Sequence, residues 1–265
     1  MPISQIIAKP PQARDKDKIA ALMTEVEKQR ASKARDERMG AQKPVVEAVP
    51  LGSYIPGLPE VTGDPVLTWV ANHDILLPLD ARIFPAAALT LIEAGKFERG
   101  LARRLPGVLP KGANILEIGA AAGFVGLHLS KVRPDLTITL HEENLSLRTI
   151  MQRIMTKNER SFNNRLTLWQ TPLAPAPAMT ILLLMAEVKP DALLLADPQL
   201  TPDILLDLLP RLPGSQPAQI VLHGRLLELH HHDLTPVEDL LAELGYQPDL
   251  GFDPNIARGF VLSDG

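Results

Sequence analysis

At 265 residues and 45% hydrophobic content, the chain is long enough to bury a full core, either as one large domain or as one domain with an appendage. A formal charge of −4 argues against a generally basic nucleic-acid binder, and the absence of cysteine excludes a disulfide framework, a thiolate metal site and a thiol nucleophile. The charge is uneven: residues 1–50 hold ten Lys and Arg against seven Asp and Glu, leaving seventeen against twenty-four for the rest.

Residues 1–60 read as a charged helical arm followed by a proline-rich linker, "QKPVVEAVPLGSYIPGLPEV". Within the arm, Ile19, Leu22, Met23 and Val26 stand at i, i+3, i+4 and i+7, a short apolar stripe on a charged helix. That pattern fits a surface helix, or a helix that takes a protein partner through residues 15–40. The opening "MPISQIIAKPPQARDKDK" lacks the apolar centre of a signal peptide, and no apolar run approaches the roughly 20 residues that span a bilayer. The expectation is a soluble, cytoplasmic protein with no membrane partner.

Residues 61–110 lead into the core. "VLTWVANHDILLPL", 66–79, reads as two short strands around a turn at "ANHD". "DARIFPAAALTLIEAGKFERGLARRL" carries helical spacing, with Leu89, Ile92 and Phe97 apolar, and Pro106 and Gly107 are expected to stop it. From 111 to 265, apolar runs of strand length alternate with helical patterns: "NILEIG", "LTITLHE", "RLTLWQ", "DALLLAD" and "AQIVLHG" each precede a helical stretch. This alternation predicts an α/β fold with a mostly parallel sheet covered on both faces. The closing pair, "YQPDLGF" and "RGFVLSD", has no helix between its members and predicts an antiparallel hairpin at one sheet edge, for seven strands in all.

The first strand of this core runs into a turn of small residues, "EIGAAAG". In an open α/β sheet the ligand sits at the carboxyl ends of the strands, and this turn is where backbone approaches it. A dinucleotide fingerprint, G-x-G-x-x-G, would start at Gly119 and require small residues at 121 and 124. Position 121 is Ala and position 124 is Phe, so the glycine spacing fails. Glu117, two residues before the first glycine, would also repel a pyrophosphate on the following helix and favour a cation. S-adenosyl-L-methionine has no phosphate and carries a sulfonium and an ammonium. Glu142 and Glu143 end the next strand, about 20 residues beyond the turn, where a carboxylate typically meets ribose hydroxyls. Period-two alternation does not say which of the two faces the ligand.

Taken together, "LIEAGKFERGLARRLPGVLPKGANILEIGAAAGFVGLHLSK", "LHEEN" and "MTKN" resemble the FkbM-type class I S-adenosylmethionine-dependent methyltransferases of bacteria, over about 95 residues from Val66 to Asn158. The resemblance implies a Rossmann-like methyltransferase domain over 111–265. It implies that Glu117, Gly119 and Gly123 shape the methionine side of the pocket with Ala120, Ala121 and Phe124, that Glu142 takes the ribose, and that Glu143 and Asn144 flank the adenine. It further implies that Glu98 reaches the pocket from the preceding helix, that Gln170 lies near the adenine edge, and that Asp197 stands at the catalytic mouth. This chain carries Ala121 where glycine is common in the family, and "DPQLTPD" where an acidic D-x-E-G run is common.

Methyl transfer to a hydroxyl needs alignment and a base. Asp197 and His223, both at strand ends, are the catalytic candidates, and a small molecule or saccharide is the expected acceptor. "HHHD", 230–233, is a poor metal site because adjacent residues rarely converge on one ion. An aromatic content of 4% is poor for nucleic-acid stacking. The alternative is a methyltransferase-like module with weak catalysis that binds or assembles through its arm, as a homo-oligomer or with another protein.

Overall fold

The computed structural model describes residues 68–162, 165–212, 216–223, 233–252 and 257–263. The charged arm, the partner helix expected over 15–40 and His230 to His232 of "HHHD" lie outside the described residues.

The first element is an antiparallel hairpin of β1 (Trp69–Asn72) and β2 (Ile75–Pro78). Both turn residues, His73 and Asp74, are left-handed at φ 47° and 64°, the turn whose twist matches that of the flanking strands. Two asparagines dock the hairpin. The Asn158 carboxamide accepts from the Leu76 amide at 2.7 Å and donates to the Leu76 carbonyl at 2.9 Å. Asn72 does the same to Phe97, accepting and donating at 2.9 Å. Each carboxamide thus replaces a missing neighbour strand for one residue.

The single helical stretch expected from residue 80 is two helices, α1 (Ala86–Glu93) and α2 (Arg99–Val108). Gly95 separates them at φ 65°: its amide reaches the Ile92 carbonyl at 2.9 Å and the Lys96 amide reaches Leu91 at 2.8 Å, a glycine-closed helix end. Pro106 and Gly107 do not stop α2, which continues to Val108. Proline removes the amide that would bond to the Ala102 carbonyl. His128 supplies a donor there instead, with Nε2 at 3.0 Å. Ahead of α1, Asp80 and Arg82 form a bidentate ion pair that is essentially inaccessible, with contacts of 2.7 to 3.1 Å.

The core alternates as expected: β3 (Asn114–Ile118), α3 (Phe124–Val132), β4 (Thr137–His141), α4 (Leu145–Lys157), β5 (Leu166–Trp169), α5 (Pro177–Val188), β6 (Ala192–Leu195), α6 (Pro202–Leu208), β7 (Gln219–His223), α7 (Thr235–Glu243), β8 (Tyr246–Asp249) and β9 (Ala257–Leu262). A 3₁₀ turn, Leu209–Arg211, follows α6. The seven strands lie in the order β5-β4-β3-β6-β7-β9-β8, with all but the β9 pairings parallel. The closing hairpin therefore forms the sheet edge, with β9 inserted between β7 and β8. β3 is flanked by β4 on one side and β6 on the other, so the strand order reverses at its carboxyl end. In open α/β sheets the crevice at such a reversal is the usual ligand position.

One face of the sheet, with Leu116, Ile118, Leu193, Leu195, Ile220 and Leu222, is sealed by Ile181, Leu205, Val237 and their neighbours from α5, α6 and α7. The opposite face carries Glu117 and receives α3, since a Cβ on Gly126 of α3 would lie 3.1 Å from Glu117 Oε2. Among the described residues no helix is long and apolar enough to cross a membrane.

Replacing Asn158 by alanine removes the docking bonds of β2 and leaves two backbone groups to be satisfied, so it should lower unfolding free energy by about 1–3 kcal/mol in urea titration. Acidification should also loosen this region. The pKa of His73 is lowered first by burial and then by His128, Arg103 and Arg99. The unfolded chain therefore takes up this proton before the folded one, so the contribution is complete above about pH 6.5 and is lost as pH falls below it. His73→Gln should flatten the dependence of melting temperature between about pH 7 and pH 5.5.

Candidate functional site

The turn after β3 is fastened to the end of β4. The amides of Gly119 and Ala120 both donate to the His141 carbonyl, at 3.0 and 2.9 Å, and Gly123 donates to Ala120 at 2.8 Å. The Ala121 amide donates to Glu142 Oε2 at 2.8 Å, and the Asn144 amide to Glu142 Oε1, also at 2.8 Å. Phosphate-binding turns aim their amides outward at the anion. Here four of them are turned inward, so the turn has little to offer a pyrophosphate.

Gly119 is glycine for two reasons. Its φ is 80°, and a Cβ there would sit 2.4 Å from the backbone N and Cα of Asp197. Gly123, at φ 75° before α3, would push a Cβ to within 2.7 Å of Met151 Cγ. Ala121 also adopts a left-handed conformation, at φ 51°. Alanine pays about 1–2 kcal/mol there relative to a right-handed position, and the Glu142 carboxylate on its amide holds it. Ala120 and Ala122 are buried while Ala121 is half-buried, so it is the alanine of the three with surface left to solvent.

Three carboxylates converge on this edge from separate strands. Glu117, Glu142 and Asp197 expose only 1%, 5% and 3% of their surface. Glu117 lies under the first turn of α3, where the helix N-terminus favours a negative charge. Asp197 Oδ1 accepts from the Gln199 amide at 2.9 Å, which shapes the loop after β6. Glu143, half-buried, accepts from the Leu173 amide at 2.7 Å and from the Gln199 carboxamide, tying the loops after β4, β5 and β6 together. Gln170, just beyond β5, is exposed.

Two of the expected site residues have other engagements. The Asn144 side chain caps α4, accepting from Ser146 and Leu147 at 2.9 and 3.1 Å. The Phe124 ring, 4% exposed, packs edge-on against Phe97 at 5.5 Å and stacks on His128 at 6.0 Å. What these two offer the crevice is backbone. Glu98 comes instead to His223, its Oε1 lying 3.1 Å from His223 Nε2, with the two side chains 10% and 7% exposed.

Sequence reasoning missed His141, which is fully buried with Nε2 2.6 Å from the Thr171 carbonyl, and whose own carbonyl anchors the turn. It also missed Arg148, which donates to the Glu142 and Glu143 carbonyls at 3.0 and 2.5 Å. Arg148 stands one turn into α4 from "HEEN", and only that helical register could have pointed to it. A cavity of about 240 Å³ lined by Ser130, Pro134, Leu136, Arg160 and Arg165 lies at the amino-terminal edge of β4 and β5, away from this site.

No protein-family model matches the chain, and no curated protein matches it in sequence. Solved structures with a similar fold include precorrin-6y C5,15-methyltransferase of Geobacter metallireducens, 18% identical over 58% of this chain and 72% of that one, with a TM-score of 0.42. An SAH-bound methyltransferase of Podospora anserina is 16% identical over 68% and 83%, at 0.46. The ribosomal protein L11 methylase of Lactobacillus delbrueckii is 21% identical over 62% and 74%, at 0.40. The fold itself stands on the strand order and its reversal at β3.

Gly119→Ala combines a forbidden contact with backbone and an unfavourable φ, so it should cost about 3 kcal/mol or more of stability. A urea midpoint within error of wild type would contradict the described packing of Gly119 on Asp197.

Proposed function

We propose that the chain is an S-adenosyl-L-methionine-dependent methyltransferase of the FkbM type that methylates a hydroxyl of a small molecule or saccharide. The observation that carries this reading is the pairing of an inward-turned glycine loop with buried carboxylates at the sheet's reversal point. Such a site favours a ligand that is cationic and has no phosphate.

The residues fit that cofactor. Glu142 is oriented by two backbone amides, and an ionised carboxylate with about four lone-pair sites can still accept from a ribose diol. Glu117 supplies negative charge on the side where a sulfonium or ammonium would lie. Glu143 and Gln170 border the neighbouring strand ends, where an adenine edge would be read. The cofactor supplies an activated methyl group; the chain supplies alignment and a group to take the acceptor's proton. Asp197 and His223, at adjacent strand ends, are the candidates for that group.

Isothermal titration with S-adenosylhomocysteine tests the reading. Binding by wild type, weakened about a hundredfold in Glu142→Ala through loss of the charge-assisted ribose bonds, is expected. No heat with wild type at millimolar ligand would refute it.

A further inference from the structure

We infer that Glu98 and His223 act as one proton-accepting pair, with His223 the catalytic base of the transfer and Glu98 its positioning residue. This rests on the methyltransferase reading above and selects between its two candidates for the base.

The register fixes the face of the sheet on which His223 lies. Ile118, Leu195 and Leu222 are aligned across β3, β6 and β7 and point into the apolar layer under α5, α6 and α7. The last residue of β7, His223, therefore lies on the opposite face, the face that carries Glu117, while Gly119 and Ala196 follow β3 and β6 at the same level. Two strand spacings, about 10 Å, separate the Gly119 and His223 backbones, and the residue between them is small. A histidine thus stands level with the turn after β3, two strands away.

Glu98 is brought there from a different layer. Helix α2 is held on this face by three contacts along its length. Arg104 pairs with Asp249 at 2.6 Å, the Ala102 carbonyl receives His128, and Glu98 meets His223 at the amino end. Glu98 precedes α2 in a left-handed conformation, φ 52°, and its carboxylate makes no cap to that helix. Glycine or asparagine would satisfy such a turn at lower cost. A glutamate kept in an unfavourable conformation, with its carboxylate directed at a buried imidazole, is explained if the pair itself is needed.

In the transfer, the acceptor hydroxyl gives its proton to the His223 imidazole while its oxygen forms the new bond to the methyl carbon. The electron pair of the breaking sulfur–carbon bond stays on sulfur, which becomes a neutral thioether. Glu98 stabilises the imidazolium so formed. Among the described residues, Asp197 follows β6, the strand next to His223, while Arg258 of β9 is the register partner of Leu222, lies on the other face of the sheet and pairs there with Glu238 of α7.

Two measurements on the full chain test this without a known acceptor. The first is an NMR titration of the His223 ring in the free protein: in Glu98→Gln its midpoint should fall by about one pH unit, because an opposing charge has been removed. An unchanged midpoint would overturn the pairing. The second compares affinities for S-adenosylmethionine and S-adenosylhomocysteine, which differ by the sulfonium charge. Protonated His223 repels only the former, so their affinity ratio should rise about fivefold from about pH 5.5 to about pH 8. The rise should vanish in His223→Asn and move to lower pH in Glu98→Gln. If both ligands bind with a ratio independent of pH, or with the same dependence in all three proteins, the pair does not face the methyl group. If neither ligand binds wild type, the cofactor reading falls and this inference with it.

Discussion

The end of β4 acts as the fastening for the whole site. The His141 carbonyl and the Glu142 carboxylate between them receive the amides of Gly119, Ala120 and Ala121. One strand end therefore fixes the path of the turn belonging to its neighbour. The consequences spread outward. The turn presents little positive backbone, the carboxylates of Glu117 and Glu142 lie at its sides, and α3 starts at a defined angle above them. Arg148 completes the arrangement by drawing in the carbonyls of Glu142 and Glu143 from the first turn of α4.

The same constraint accounts for Ala121. A glycine would occupy its left-handed conformation without penalty, yet the hydrogen bond to Glu142 offsets an alanine's cost, since a bond to a charged group contributes roughly 1.5–3 kcal/mol. The methyl group at 121 is thus tolerated locally because the Glu142 carboxylate holds the backbone. Glu142 has two roles at once, one in shaping the turn and one proposed toward the ligand.

Much of the architecture was legible in the sequence because its signals are local. Strand-length apolar runs alternating with helical patterns are sufficient for a parallel sheet, and the missing helix between "YQPDLGF" and "RGFVLSD" marked the edge hairpin. The strand ends that carry Glu117, Glu142, Asp197 and His223 could be read the same way, and the sheet does bring them to one edge. What the sequence did not reveal depends on partners distant in the chain. Helix α2 passes through Pro106, and the Ala102 carbonyl that loses its helical partner there is met by His128, 26 residues away. Glu98 meets His223 because α2 is held on the face of the sheet to which His223 belongs. The engagement of Asn144 as a cap was local and could have been read from "ENLSL", where an asparagine precedes a helical run.

The central claim is that this crevice selects a cationic cofactor without phosphate. Its most direct test is a side-by-side titration of the wild-type protein with S-adenosylmethionine and with NAD⁺ in the same buffer. Saturable binding of S-adenosylmethionine with no detectable binding of NAD⁺ is the predicted result. NAD⁺ binding as tightly as S-adenosylmethionine would contradict the account, because the inward-turned amides and the buried glutamates would then not be deciding the ligand.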